Sequence, residues 1–156
     1  MIELATILPS NAVFVRACAD SKKQLLQLAA KRAEEVYGLP AKTVLEVLSQ
    51  RERDGSTGIG QGIAIPHGKL SELDRVVGLF LRLKTPIDFD ATDDQRVDLV
   101  CVLLAPSGTG SDHLKALSRI ARTLRDDDTV AALRQASDIE TLHACLIRLE
   151  TEKRAA

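Results

Sequence analysis

The sequence has no tryptophan, one tyrosine and three phenylalanines, so aromatic rings cannot build its core. Leucine, isoleucine, valine and alanine must fill that role. Charge of one sign is missing too: 21 lysines and arginines face 22 aspartates and glutamates. A balance so even excludes the broad basic face of a nucleic-acid binder, and no aromatic and basic residues alternate as a single-strand stacking platform would require. The three cysteines, Cys18, Cys101 and Cys145, are odd in number, far apart and form no C-x-x-C pair. Each lies in an apolar stretch, which fits reduced, mostly buried thiols. No apolar run approaches the ~18–20 residues of a membrane helix. Met1 to Pro9 carries Glu3 and lacks the basic-then-apolar order of a signal peptide. The expectation is a soluble, cytoplasmic chain without membrane insertion.

At 156 residues, one domain spanning 1–156 is expected, with a polar tail from about 151. Ala12 to Ala17 reads as a β-branched first strand. Ser21 and Gln24 have capping-box spacing, with Asp20 as a rival cap; Leu25, Leu28, Ala29, Ala33 and Val36 follow at helical intervals. Gly38 and Pro40 separate this helix from a second, which ends near Arg53. Val76 to Leu83 reads as a strand. Val97 to Leu104 is a nearly unbroken apolar run, the pattern of a central strand covered on both faces. Ser111 or Asp112 opens a helix carrying Leu114, Leu117, Ile120, Ala121 and Leu124. Asp126 to Asp128 form a capping loop before a short helix over 129–134, and Ser137 with Glu140 matches a capping box for the last helix. Interleaved helices and strands predict an α/β layered sandwich around a mixed sheet.

Gly55 to Gly68 (GSTGIGQGIAIPHG) stands apart, since five of the nine glycines lie there. It reads as a tight loop, a short strand over 62–65, and a turn at Pro66-His67-Gly68. It does not fit two nucleotide-binding patterns. Gly58, Gly60 and Gly62 are spaced G-x-G-x-G, and no acidic residue is placed for a ribose. Gly62 to Lys69 has one residue too many for a P-loop, and Leu70 stands where a magnesium-binding hydroxyl belongs. Nor do the three histidines, His67, His113 and His143, lie at metal-ligand spacing from one another or from a cysteine.

What remains is His67, braced by Pro66 and approachable over Gly68. The alternative is a histidine that merely tolerates a surface turn. His113 opens a predicted helix, where the dipole suits an anion and depresses an imidazole pKa. Arg51 ends the second helix just before the glycine loop. Ser56 and Thr57 have hydroxyls and amides within reach of phosphate oxygens. Phosphoryl transfer needs such a set: a neutral imidazole with a free lone pair, its other nitrogen fixed, and donors around the charge on the transferred group.

Arg51-Glu52 and Gly55 to Lys69, with Thr85 to Asp90, Val97 to Val100 and Asp112 to Leu124, closely resemble the fructose/mannitol-type enzyme IIA domains of the bacterial phosphotransferase system. The likeness spans the chain and is nearer to the nitrogen-regulatory branch. It implies that His67 is the phosphoryl acceptor, at Nε2, with His113 the second active-site histidine and Arg51 the basic residue beside them. Ser56, Thr57 and Gln61 would lie at the phosphate. Mannitol-type members tend to carry glutamate at the position of Gln61. The resemblance further implies no cofactor or metal. The phosphate source would be phosphoenolpyruvate, through enzyme I of the nitrogen branch and an HPr-like phosphocarrier, and the output would be read by regulatory target proteins. A sugar-type IIA that passes phosphate to a IIB domain is the alternative. A third reading is a binding module whose His67 never turns over.

Overall fold

In a computed structural model of the chain, residues 4–108 and 111–155 are described, with side chains to Ile147. The elements run α1 (Leu4–Ile7), a 3-10 turn (Ser10–Ala12), β1 (Val13–Ala17), α2 (Lys22–Tyr37), α3 (Ala41–Arg53), β2 (Gly58–Gly60), β3 (Ile63–Ala64), β4 (His67–Leu70), β5 (Val77–Ile87), β6 (Val97–Pro106), α4 (Asp112–Thr123), α5 (Asp127–Gln135) and α6 (Ile139–Ala155). The strand order is β1-β5-β6-β3-β2, with β4 also paired to β6. β5 and β6 are antiparallel, while β1 runs parallel to β5, and β3 and β4 run parallel to β6. The fold is thus a mixed-sheet α/β sandwich.

Period-two patterning assigns the two faces. Leu79, Leu81, Val100, Val102 and Leu104 pack with α2 and α3 residues such as Leu25, Ala29, Val44 and Leu48. Phe80, Leu99, Cys101 and Leu103 pack with Ile120, Leu133, Leu142 and Leu146 of α4, α5 and α6. Every residue of β6 except Asp98 is buried, as the apolar run predicts for a doubly covered strand.

Ser21, not Asp20, caps α2, its hydroxyl accepting the Gln24 N–H at 3.1 Å. Gly38 closes that helix at φ +70, a left-handed position open to glycine without strain. Asp126 caps α5 through the Thr129 amide and hydroxyl. Asp138, rather than Ser137, caps α6 by accepting the Thr141 N–H at 2.7 Å. Ser111 precedes α4 without a side-chain cap. α6 continues to Ala155, so its helix runs through the segment expected to be a tail. α1 has no counterpart in the sequence reading; tertiary burial of Leu4 and Ile7 places it.

Residues 58–70 depart from the expected loop and turn. Gly58–Gly60 is a strand rather than loop, antiparallel to β3. His67 lies in a strand rather than a turn. Ile63 stands opposite Leu99, Ala64 opposite Val100, His67 opposite Leu103 and Gly68 opposite Leu104. The offset never changes, so β3 and β4 are one line of chain beside β6. Pro66 interrupts it because it has no N–H to give, yet its carbonyl still accepts the Leu103 N–H at 2.9 Å.

Candidate functional site

Strand phase aims His67. Ile63 and Ile65 belong to the α4–α6 side of the sheet, and Ala64 and Leu70 to the α2–α3 side. His67 shares the phase of the first pair and meets His113 in the first turn of α4, with ring centroids 5.4 Å apart and planes tilted by 44°. Gly68 faces α3 instead, where a Cβ would stand 2.2 Å from Val47 Cγ1. The glycine therefore serves a close approach within the fold, and that approach brings the end of α3 to the strand.

Arg51, in the last turn of α3, crosses to the histidine. Its Nε–H donates to His67 Nε2 at 3.2 Å, while Nη1 donates to the Gly55 carbonyl at 2.9 Å. On the other side of the ring, His67 Nδ1 lies 2.8 Å from the Ile65 carbonyl. A carbonyl can only accept, so Nδ1 carries the proton and Nε2 carries the lone pair. The imidazole is thus a single tautomer with its nucleophilic nitrogen turned toward a guanidinium. Sequence gives no sign of the Ile65 contact, because it comes from a backbone atom two residues upstream.

A model of the family described as phosphoenolpyruvate-dependent sugar phosphotransferase system, EIIA 2, matches residues 6–148. The chain belongs to that family. Among its relatives is a nitrogen regulatory protein of Bradyrhizobium diazoefficiens, 48% identical over 143 residues, covering 92% of this chain and 94% of the relative. The solved nitrogen regulatory protein IIA-Ntr of Neisseria meningitidis is 35% identical and superposes with a TM-score of 0.86 over 92% of this chain and 98% of that one. The mannitol IIA of Escherichia coli shares the fold, with a TM-score of 0.73 over 88% of this chain and 96% of that one, at 19% identity.

In this IIA chain a buried carboxylate that the sequence reading did not single out holds the glycine loop. Glu52, the neighbour of Arg51, is 8% exposed. It accepts the Thr57 N–H at 2.9 Å, the Thr57 hydroxyl at 2.6 Å and Lys22 Nζ at 2.8 Å. Ser56 donates its hydroxyl to the Phe89 carbonyl and accepts the Gly58 N–H. Both hydroxyls are therefore engaged in shaping the loop. Because removal of a buried charge partner strands the others, Glu52→Ala should lower unfolding free energy by about 3–5 kcal/mol; urea denaturation measures it, and a loss below about 1 kcal/mol would refute the hub.

Gln61 sits at the β2–β3 hairpin with φ +59, unusual for a residue with a side chain. Two charged groups clamp it: its N–H donates to Asp93 Oδ2 at 2.8 Å, and its carbonyl accepts from Arg134 Nη2 at 2.8 Å. Gly58 and Gly60 allow the loop around 91–93 to close over the hairpin, where added Cβ atoms would meet Ala91 Cβ at 2.9 Å and Asp93 Oδ2 at 3.2 Å. Asp93 and Arg134 left no local signal, since their roles depend on long-range contacts.

Burial is the leading reason that His67 titrates below the ordinary histidine value; the Arg51 charge adds to it, while the Ile65 hydrogen bond and Glu52 oppose it. His113 is lowered first by burial, then by His67 and Lys69. Its Nδ1 is buried without a hydrogen-bond partner among the described residues. Both rings remain neutral at pH 7. Their folded-state values lie below the unfolded value of 6.5, so the unfolded chain binds more protons, and stability is lost as pH falls below that value toward the folded-state values. Urea unfolding at pH 7.5 and pH 5.5 should show a larger loss for the wild type than for the His67→Gln/His113→Gln variant; equal losses would contradict the assignment.

Proposed function

We propose that this chain, residues 1–156 acting as one IIA unit, is a phosphocarrier of a nitrogen-regulatory phosphotransferase branch. The observation that carries the proposal is the fixed tautomer of His67, with Nδ1–H held by Ile65 and the Nε2 lone pair beside Arg51. The nitrogen regulatory relatives and the lower identity to the mannitol protein support the nitrogen branch over a sugar-type IIA.

In the reaction we envisage, Arg51 swings its Nε–H from Nε2 to an oxygen of the arriving phosphoryl group. Nε2 then bonds to phosphorus as the nitrogen–phosphorus bond in the donor's phosphohistidine breaks. The donor's nitrogen keeps the electron pair, and the Nδ1 proton stays on the Ile65 hydrogen bond. The guanidinium and His113 lie near the developing charge, where preorganised donors lower the barrier most. Ser56 and Thr57 act through the loop that they shape, and Gln61 through the hairpin at its rim. The donor is an HPr-like carrier of the nitrogen branch, and target proteins read the phosphorylation state. Among the described residues no helix is long and apolar enough to cross a membrane.

Incubation with enzyme I, HPr-like carrier and phosphoenolpyruvate should give one acid-labile phosphohistidine per chain by intact mass. No phosphorylation under those conditions would refute the reading. His113→Ala should slow transfer by roughly 10²-fold in rapid quench, the scale of one lost charge-stabilising donor; wild-type kinetics would make His113 incidental.

A further inference from the structure

Away from the His67 site, β1, β5, the start of β6 and the end of α5 enclose an open cleft of about 400 Å3. Its charged lining is Arg16, Arg82, Lys84 and Arg134 against a single carboxylate, Asp98, while Val15 and Leu83 supply apolar wall. In a chain whose formal net charge is −1, this is a local concentration of positive charge. The four cations are not equivalent. Arg82 is held by backbone carbonyls, donating to Val15, Leu133, Arg134 and Ala136, and so closes the end of α5. Arg134 grips both oxygens of Asp98, with contacts of 2.8–3.3 Å. Arg16 and Lys84 are exposed, and no carboxylate among the described residues pairs with either.

We propose that this cleft binds a small organic anion with at least two negative groups, phosphates or carboxylates. Arg16 and Lys84 supply free charge, and the planar fork of Arg134 can trade Asp98 for an incoming anionic group with matching geometry. Low-dielectric walls concentrate the field of the cations in the cleft. Its volume suits a metabolite and falls within the range of small-molecule sites. Asp98 lies five positions along β6 from Leu103, the partner of His67, or roughly 16 Å at a strand's rise per residue. The cleft instead reaches the β2–β3 hairpin, because Arg134 also donates to the Gln61 carbonyl. A Cβ on Gly62 would stand 2.5 Å from Arg134 Nη2, so that guanidinium packs directly on the hairpin. A ligand that draws Arg134 from Asp98 also disturbs its hold on Gln61.

The test is amide NMR at low salt, titrating the wild-type chain with pyrophosphate and, separately, with citrate. The expected result for at least one probe is a saturable shift at Arg16, Lys84 and Asp98 that extends to Gln61. Preference for pyrophosphate would indicate phosphorylated ligands, and preference for citrate polycarboxylates. The same shifts should persist in Arg51→Ala, which removes a cation from the His67 site. Arg16→Glu/Lys84→Glu should bind at least roughly tenfold more weakly, with Arg16→Gln/Lys84→Gln as the milder variant if charge reversal disturbs folding. No saturable shift with either probe, shifts confined to residues around His67, or undiminished binding by the variants would overturn the proposal. So would a cleft that answers only to an acidic peptide, which would make it a protein-docking surface.

Discussion

His67→Ala should accept no phosphoryl group from the phosphorylated carrier, while its urea unfolding midpoint should stay near that of the wild type. The first half follows from the lack of a substitute nucleophile. His113 has a buried Nδ1 without a partner among the described residues, so nothing fixes its tautomer as Ile65 fixes that of His67. His143 has Nε2 engaged 2.8 Å from the Leu8 carbonyl. The second half follows from position: His67 is half-buried at the sheet margin rather than in either apolar cluster. Intact mass and acid-lability of the label report the outcome, and full labelling of the variant at any other residue would remove the acceptor assignment. A separate readout concerns pH. Since a protonated imidazole has no lone pair, the depressed pKa of His67 should keep transfer fast down to values below the 6.5 of a free histidine. A rate already halved at 6.5 in the wild type would contradict the burial argument.

Gly68→Ala gives the second large effect, on stability and transfer together. The new Cβ would lie 2.2 Å from Val47 Cγ1 and 3.5 Å from Val47 Cβ. A β-branched side chain on a helix has essentially one rotamer, so Val47 cannot turn aside. Either α3 or β4 must move. Such overpacking costs about 1–3 kcal/mol, and because Arg51 is on α3, the movement also lengthens its 3.2 Å bond to His67. Phosphorylation should slow by roughly 10²-fold, the scale set by loss of one preorganised donor. Val47→Ala in the same chain should restore most of both losses, since it empties the space that the Cβ needs. In a double-mutant cycle the coupling should exceed about 1 kcal/mol. Additive effects would show that Gly68 matters for some reason other than its approach to α3.

These two residues also show how far the sequence could be read. His67 was legible as the candidate acceptor because its glycine-rich setting and its likeness to known IIA domains are local, contiguous signals. Its aim was not. A turn was expected at Pro66-His67-Gly68, since proline and glycine beside a histidine are ordinary turn residues. The chain instead stays in register with β6 across Pro66, and only that pairing reveals His67 and Gly68 as residues of opposite strand phase. Gly58 and Gly60 were open to a similar misreading. Their lack of a side chain serves contact with Ala91 and Asp93, distant in sequence, rather than a tight loop. Ser56 and Thr57 had the right chemistry for phosphate, but their hydroxyls bind Phe89 and Glu52.

The sequence by itself determined the α/β alternation, the buried central strand, the helix that follows residues 20–21, and the glycine-rich segment that holds the candidate site. Those features depend on periodicity and on contacts within a few residues, where side-chain pattern and backbone preference act directly. Only the tertiary structure decided which imidazole nitrogen is free, why Glu52 is buried and what Gly68 makes room for. Each of these depends on two segments that the β6 register and the α3–β4 packing bring together, and no local propensity encodes such a meeting.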